Sequence, residues 1–320
     1  MNTAIDFKFI HEEKFRAAFW GFIVGDAIGV PYEFYSREEM KLSPAYTMTG
    51  YGTYEQPIGT WSDDTSMMLC VLENISTGRS IQVLAKLFLK WADEGYHTAH
   101  HEVFDMGNTT RVSLERIRMG MNLDQVGCFD EKSAGNGSLM RSLPYAFVDP
   151  IEYAIESMLI EGRLTHRLDV CSDASLLYIN MVRNLAAGKE KFPALSDACL
   201  LLQTTWKHQA KFGEQQDTDK FSRLFMEEFH KLPEEEIKST GYVIHTIEAA
   251  IWCFLNSRSY TETVLKAVNL GGDTDTIAAI AGGLSGTYYG MNNIPEDWLK
   301  LIARREELES FFQKWVCDLD

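Results

Sequence analysis

Residues 271–290 read GGDTDTIAAIAGGLSGTYYG, a run of small apolar residues that begins directly after two carboxylates, Asp273 and Asp275. Small residues recur through the run at helical intervals, so a helix here would let neighbouring helices approach closely. The pattern predicts a helix at the buried centre of a helical bundle. Because a buried carboxylate without a partner is costly, we expect a cation or hydrogen-bond donors beside Asp273, Asp275 and Thr276.

A second segment repeats the same order of residue types. Residues 59–69 read GTWSDDTSMML, where Ser62, Asp63 and Asp64 precede another apolar run. A hydroxyl or carboxylate here is a natural N-cap, since it accepts the free N–H groups of the first helical turn. A cap explains one carboxylate but not two neighbours that repel each other, and a hard divalent cation would use both. Two similar constellations in one chain suggest one shared site.

The chemistry of the candidate ligands narrows the choice of metal. All of them are oxygens, which favours Mg²⁺ or Mn²⁺ over zinc or copper. A calcium-binding EF-hand loop starting at Asp273 does not fit, because Ile277 and Leu284 would occupy positions that require oxygen ligands.

Helical periodicity dominates the rest of the chain, and alternating strand patterns are nearly absent. Apolar residues recur at helical spacing in 15–23, 84–91 and 151–159, and further helical segments are 166–188, 243–257 and 261–272. We predict an all-α fold of about a dozen helices. It forms a single domain, residues 15–320, after an N-terminal extension, residues 1–14. The irregular sequence of residues 41–61 predicts a long loop, and loops of this length are usually functional or disordered.

Composition argues against several functional classes. The chain has 320 residues and a formal net charge of −16, which would repel phosphate backbones and disfavours nucleic-acid binding. No apolar segment reaches about 20 residues, so no membrane span is predicted, and the N-terminus has no signal-peptide pattern. The six cysteines form no CxxC pair, as expected for reduced core thiols. We therefore expect a cytoplasmic protein.

Two short polar segments contain further carboxylates. GDAIGVPYEF, residues 25–34, places Asp26 and Glu33 around a Gly-Val-Pro turn at the end of the first long helix. FDMGNTTR, residues 104–111, contains Asp105. Asp105 could equally cap a helix that begins near Thr109 or order its own Gly-Asn turn.

Two other segments contain glycines or a histidine. AGNGSLMR, residues 134–141, has glycines where a backbone could approach a ligand, but it fits neither a P-loop nor a dinucleotide-binding fingerprint. LTH, residues 164–166, puts His166 at the predicted start of a helix. Taken alone, His166 is explained as a capping or structural residue.

Together and in this order, these segments resemble the ADP-ribosylglycohydrolase family, of the dinitrogenase-reductase-activating glycohydrolase and ARH type. The resemblance rests on GFIVGDAIGVPYE, WSDDTSMM, FDMGNTTR, GNGSLMR, LTH, GYVIHTIEAAIW and AVNLGGDTDTIAAIAGGLSGTYYG, within residues 21–290. It implies an all-α bundle with two Mg²⁺ or Mn²⁺ ions at its centre. The ligands that the resemblance implies are Ser62, Asp63, Asp64, Asp273, Asp275 and Thr276.

The resemblance also implies an activity. The protein is expected to remove ADP-ribose from a modified protein side chain by cleaving the glycosidic bond at the ribose C1″, with free ADP-ribose as the product. Glu33 matches a glutamate beside the metals and is expected to transfer a proton. Asp105 is expected to hold the planar guanidinium of an arginine linkage by paired hydrogen bonds. The residues expected to bind substrate are Gly135, Asn136, Gly137, Ser138, Met140 and His166.

Two alternatives remain open. The substrate could be a small conjugate such as O-acetyl-ADP-ribose. The protein could also be an immunity protein that neutralises an ADP-ribosyltransferase toxin by hydrolysis, by binding, or by both. The segment before Phe15 is the predicted place for such binding.

Overall fold

The computed structural model describes residues 8–78, 80–210 and 218–317. Within these ranges the chain forms thirteen α-helices and one small antiparallel sheet, which confirms the predicted all-α class. The sheet pairs β1 (Lys8–Phe9) with β2 (Val148–Asp149). The helices are α1 (Glu12–Gly29), α2 (Arg37–Leu42), α3 (Asp63–Ser76), α4 (Ile81–Glu94), α5 (Asn108–Arg118), α6 (Ile151–Gly162), α7 (Asp169–Ala186), α8 (Lys191–Ala210), α9 (Val243–Leu255), α10 (Tyr260–Asn269), α11 (Thr274–Tyr289), α12 (Glu296–Leu301) and α13 (Arg305–Phe312).

The helices α1 and α11 pack at close range because both present glycine where they meet. A Cβ atom added to Gly25 would overlap the carbonyl oxygen of Ala278, and one added to Gly282 would overlap the carbonyl oxygen of Gly21. Every residue of α11 from 274 to 287 is buried. The prediction that this segment forms a buried helix at the centre of the bundle is therefore confirmed.

The carboxyl end of α1 lies against the amino end of α11. The backbone at Gly29 is so close to Asp275 that a side chain at position 29 would overlap its Cα atom. The hydroxyl of Thr274 donates a hydrogen bond to the carbonyl oxygen of Gly29 at 2.8 Å. After Gly29 the chain makes a single 3₁₀ turn, Val30–Tyr32, and reaches Glu33. This connection places Glu33 beside the acidic start of α11.

The amino end of α3 is held by Asp26, a buried side chain of α1. The Asp26 carboxylate accepts hydrogen bonds from the backbone N–H of Ser62 at 3.0 Å and from the hydroxyl of Thr65 at 2.6 Å. The sequence left Ser62 and Asp63 as candidates for the N-cap. Ser62 occupies that position, and its hydroxyl accepts a hydrogen bond from the backbone N–H of Asp64 at 3.2 Å. The helices α1, α3 and α11 thus converge on one point.

The amino-terminal segment is described only from residue 8. Lys8–Phe9 forms the strand β1, and α1 begins at Glu12. Residues 1–7 of the predicted extension lie outside the described residues, and the division into extension and domain stays a prediction.

Residues 41–61 contain little regular structure, as predicted. They comprise the end of α2, an isolated bridge between Tyr51 and Gln56, and a 3₁₀ turn at Gly52–Tyr54. None of the helices in the described ranges is long and apolar enough to cross a membrane.

Candidate metal centre and substrate pocket

The two acidic motifs meet directly. The hydroxyl of Thr276, in the first turn of α11, donates a hydrogen bond to Asp64 Oδ2 at 3.1 Å. Ser62 donates to the same oxygen at 3.2 Å. All three side chains are buried, with 5% or less of their surface exposed. The structure therefore brings the start of α3 and the start of α11 together, as the repeated pattern in the sequence suggested.

Glu33 belongs to the same cluster. Carboxylate oxygens of Glu33, Asp273 and Asp275 all lie within 4.8 Å of one another. Two backbone hydrogen bonds fix this arrangement, because the N–H of Phe34 donates to the carbonyl of Gly272 and the N–H of Gly272 donates to the carbonyl of Tyr35, both at 2.7 Å. Gly272 has φ of +77°, a left-handed conformation that favours glycine.

Burial raises the pKa of the acidic groups in this cluster, and neighbouring carboxylates raise it further. Burial and then the Asp105 charge raise the pKa of Glu33 to about 9. Burial is also the largest cause for Asp63, Asp64 and Asp275, whose pKa values lie well above the ordinary value. Among the described residues, none of these carboxylates forms an ion pair with a basic side chain.

Three oxygens in the cluster show what kind of partner would fit. Glu33 Oε2, Asp64 Oδ1 and Asp275 Oδ2 are buried and have no hydrogen-bond partner within the described part of the chain. Unpartnered buried carboxylates are costly, and converging carboxylate oxygens suit a hard divalent cation. The residues present therefore fit a divalent cation, and their oxygen chemistry fits Mg²⁺ or Mn²⁺.

A cavity of about 690 Å³ opens onto this cluster. It joins parts of the chain that the sequence analysis had singled out separately. Among the residues that line it are Glu33, Asp63, Asp105, Gly135, Asn136, Gly137, Met140, His166, Asp273 and Thr276. Ser138 was expected to bind substrate but does not line the cavity. It lies just behind the wall, buried, and its hydroxyl has no partner within the described residues.

Asn136 connects the glycine-containing segment to the acidic cluster. Its Nδ2 atom donates hydrogen bonds to Asp273 Oδ2 at 2.6 Å and to the hydroxyl of Thr246 at 3.0 Å. Its backbone N–H donates to the carbonyl of Gly241 at 3.1 Å. The side chain of Asn136 is thereby oriented, and it holds Asp273 in place.

His166 lies beside Gly135 and Gly137 of the same glycine-containing segment. The prediction that it starts a helix was wrong, because α7 begins at Asp169 and His166 instead pairs with Cys128 in an isolated bridge. Burial, together with the nearby Arg141 charge, lowers the pKa of His166 to about 3. The imidazole is therefore neutral at physiological pH.

Asp105 is a half-buried carboxylate of the pocket and does not cap a helix. Gly107 occupies the N-cap position of α5, so the capping explanation is wrong. Burial raises the pKa of Asp105 to about 6, and the favourable interaction with the nearby Tyr54 side chain partly opposes this rise. Burial, and then the charges of Asp105 and Glu33, raise the pKa of Tyr54, so its phenol lies near both carboxylates to which the sequence assigned catalysis.

Tyr54 was missed by the sequence analysis. It lies in the irregular segment 41–61, which was predicted to be a long loop, but no pattern in that segment singled out one side chain. Its ring packs against Phe104 with centroids 5.0 Å apart, next to Asp105. The unusual length of the loop was the one available signal.

Comparisons with known proteins identify the family of the chain. A sequence model of the ADP-ribosylglycohydrolase family matches residues 10–319. The chain is 29% identical over 307 residues to the ADP-ribosylarginine hydrolase Tri1 of Serratia proteamaculans, covering 94% of this chain and 78% of the relative. It is 28% identical over 304 residues to the ADP-ribosyl-(dinitrogen reductase) glycohydrolase of Rhodospirillum rubrum, covering 93% and 92%.

A solved structure described as an ADP-ribosylglycohydrolase-related protein complex has a TM-score of 0.76 and 28% identity. The match covers 97% of this chain and 99% of the other. Because the family match extends over nearly the whole sequence, the chain belongs to the ADP-ribosylglycohydrolase family of hydrolases.

Proposed function

We propose that the protein removes ADP-ribose from modified arginine side chains by hydrolysing the glycosidic bond at the ribose C1″. The observation that carries the proposal is the single cavity that joins the acidic cluster, the carboxylate of Asp105 and the segment around Asn136. The two curated relatives described above are named for ADP-ribosylarginine and for ADP-ribosylated dinitrogen reductase, which supports the same chemistry.

In this proposal the two converging motifs hold divalent cations. The resemblance to the family implies two such ions. When bound, such ions act as Lewis acids that orient the ribose hydroxyls and make a nearby water more acidic. The ligands would be Ser62, Asp63, Asp64, Asp273, Asp275 and Thr276. Glu33, whose carboxylate lies with those of Asp273 and Asp275, could also contribute an oxygen.

Glu33 is the proposed proton-transfer group. Its side chain is only 6% exposed, and its Oε2 atom is free to accept or release a proton. It would either take a proton from the attacking water or give one to the leaving group. A positioned acid or base of this kind contributes roughly 10²–10⁴-fold to a rate.

Asp105 is the proposed recognition group for the arginine linkage. A guanidinium is planar and always charged, and a carboxylate matches it with paired charge-assisted hydrogen bonds. Asp105 lines the cavity together with Glu33 and Asp63, so a guanidinium held there would sit near the proton-transfer group. The nearby phenol of Tyr54 would orient the carboxylate by donating a hydrogen bond to it.

One experiment tests the proposal directly. The protein and Mg²⁺ are incubated with an ADP-ribosyl-arginine peptide, an ADP-ribosyl-serine peptide and O-acetyl-ADP-ribose, and free ADP-ribose is measured by chromatography. We expect release from the arginine peptide and none with the Asp275→Asn variant. No release from any substrate would overturn the proposed function, and release only from the O-linked substrates would overturn the assigned linkage.

An ADP-ribosyltransferase toxin as a binding partner stays a prediction. A protection assay separates binding from hydrolysis by comparing the Asp275→Asn variant with a chain that lacks residues 1–7. Protection that survives the substitution but not the truncation would favour an immunity protein that acts by binding.

A further inference from the structure

Arg141 is a buried cation behind the wall of the pocket. Its side chain is 2% exposed, and within the described residues no carboxylate lies at ion-pair distance from it. Its guanidinium instead donates to the backbone carbonyls of Gly137 and Gly162, and to the hydroxyl of Thr165 at 2.8 Å. A buried charge bonded in this way polarises the neutral groups that accept its hydrogen bonds.

The hydroxyl of Thr165 has two partners among the described residues, Arg141 and His166. It accepts a hydrogen bond from Arg141, which can only donate. Its distance to His166 Nδ1 is 2.7 Å. Thr165 is fully buried, so water cannot accept a hydrogen bond from its hydroxyl. The hydroxyl must therefore donate its hydrogen bond to Nδ1 of His166, because a buried donor without an acceptor is costly. Nδ1 is then an acceptor, and in a neutral imidazole the proton is carried by Nε2.

The Nε2 atom faces the segment that lines the cavity. A Cβ atom built on Gly135 or on Gly137 would lie 3.3 Å from Nε2, closer than a side chain normally comes. Glycine at both positions therefore leaves this nitrogen accessible from the cavity, which His166 lines. The described residues offer Nε2 no hydrogen-bond acceptor of their own.

We propose that Arg141 and Thr165 hold His166 as the neutral Nε2–H tautomer, so that His166 is a fixed hydrogen-bond donor to an acceptor oxygen of ADP-ribose. The nature of the ligand rests on the proposed function, whereas the tautomer does not. Arg141 and Thr165 are positioning residues, because they act through His166. With Nδ1 occupied by Thr165 and Nε2 protonated, His166 has no lone pair free to bind a metal or to act as a base.

The tautomer can be measured in the ligand-free protein. Long-range ¹H–¹⁵N NMR correlations distinguish a protonated from an unprotonated imidazole nitrogen, and the His166→Gln variant identifies the signals of His166. We expect wild-type protein to show protonated Nε2 and unprotonated Nδ1 at pH 7. The Thr165→Val variant, which keeps the shape but loses the hydroxyl, should show a mixture of tautomers. The matched control Thr165→Ser keeps the hydroxyl and should retain the wild-type signals.

Binding of ADP-ribose in the presence of Mg²⁺, measured by calorimetry, tests the role of the donor. The Thr165→Val variant should bind ADP-ribose roughly three- to tenfold more weakly than the wild type, as expected for the loss of one neutral hydrogen bond. The affinity of Thr165→Ser should be close to that of the wild type. A wild-type spectrum with protonated Nδ1 would overturn the inference without touching the proposed hydrolysis. Unchanged affinity in Thr165→Val would overturn the role of His166 as a donor. Wild-type protein that has the expected tautomer but does not bind ADP-ribose would contradict the proposed function and the donor role with it.

Discussion

Thr276 donates a hydrogen bond to Asp64 at 3.1 Å, although 212 residues separate them in the sequence. The contact forms because α1 holds both partners at one place. Its Asp26 carboxylate anchors the start of α3, and its last residue, Gly29, packs against the start of α11. The acidic site is thus formed by the packing of three helix ends. Substitutions that change its charge and substitutions that disturb the helix packing should both affect the protein.

Mg²⁺ should stabilise the protein more at pH 8 than at pH 6.5. A carboxyl whose folded pKa is raised stabilises the fold while it is protonated, and that stability is lost as the pH rises through the folded pKa. The pKa of Glu33 is raised to about 9, so the metal-free protein should lose stability across this interval. Burial lowers the pKa of His166 to about 3, below this interval, and the pKa of Lys191 to about 8, at its upper limit. Both groups are present with and without Mg²⁺, so comparing the two conditions at each pH isolates the effect of the ion.

Thermal unfolding with a chelator and with Mg²⁺ at the two pH values measures the effect. An ion present at 100 times its dissociation constant adds about 2.7 kcal/mol of stability. Hydrolysis should vanish with the chelator and return with Mg²⁺ or Mn²⁺, but not with Ca²⁺, whose longer bonds and looser geometry suit the site less well. If Mg²⁺ did not change the midpoint of thermal unfolding at either pH value, a metal site in this cluster would be contradicted.

Asp275→Asn should abolish hydrolysis and leave the metal-free fold at least as stable as the wild type. Asp275 is buried, and the Glu33 and Asp64 charges add to the effect of burial in raising its pKa. Asparagine keeps the shape and removes the repulsion. Urea unfolding in chelator and the arginine-peptide assay measure the two properties. Asp63→Asn should behave in the same way.

Asp124→Asn is the matched control for these variants, because Asp124 is an exposed aspartate. Its rate and stability should equal those of the wild type. If Asp275→Asn and Asp63→Asn also kept normal rates, both residues would be structural.

Tyr54→Phe should slow hydrolysis roughly ten- to hundredfold, as expected for loss of a hydrogen bond to ionised groups. The phenol lies near both Glu33 and Asp105, so the variant removes a hydroxyl that can donate a hydrogen bond to either carboxylate. The rates of Tyr54→Phe and of Tyr46→Phe, an exposed tyrosine in the same loop, are compared on the arginine peptide. Equal rates for the two variants would show that the hydroxyl of Tyr54 has no part in catalysis.

Gly25→Ala should destabilise the fold by about 1–3 kcal/mol or more, because overpacking forces helices apart. The added methyl would overlap the carbonyl of Ala278 in α11. Gly162→Ala is the control, since a Cβ there would make an ordinary contact with Ser138 at 3.6 Å. Urea unfolding should separate the two variants clearly. If Gly25→Ala and Gly162→Ala were equally stable, α1 and α11 could move apart without a loss in the free energy of unfolding.

The sequence predicted those parts of the site in which residue type and spacing carry information. Two sets of hydroxyls and carboxylates before apolar runs were enough to predict that Asp64 and Thr276 share a site, because each needs a partner when buried. The helical class followed from apolar periodicity. Both inferences depend on local patterns, which a single sequence displays.

Other features depend on tertiary contacts that leave no local pattern. Tyr54 reaches Glu33 and Asp105 from a loop without periodicity, so its position could not be read from its neighbours. The irregular stretch that holds His166 pairs with Cys128, a contact that no helical or strand pattern reveals. Asp26 was noticed in its turn, but its bond to Thr65 follows only from the packing of α1 against α3.

Asp105→Ala should impair hydrolysis of ADP-ribosyl-arginine much more than hydrolysis of an O-linked substrate. The physical reason is that a guanidinium offers paired donors to a carboxylate, whereas a serine linkage offers no such group. Asp105 lines the cavity beside Asp63 and is not the cap of α5, so a loss of activity would not follow from fraying of that helix. The values of kcat/KM on the two substrates are compared for wild type, Asp105→Ala and the control Asp124→Asn. Removal of a charge-assisted pair should cost roughly ten- to hundredfold on the arginine substrate. Equal losses on both substrates would mean that Asp105 serves the pocket in a way that does not depend on the linkage, and the choice of arginine would then have to come from another residue.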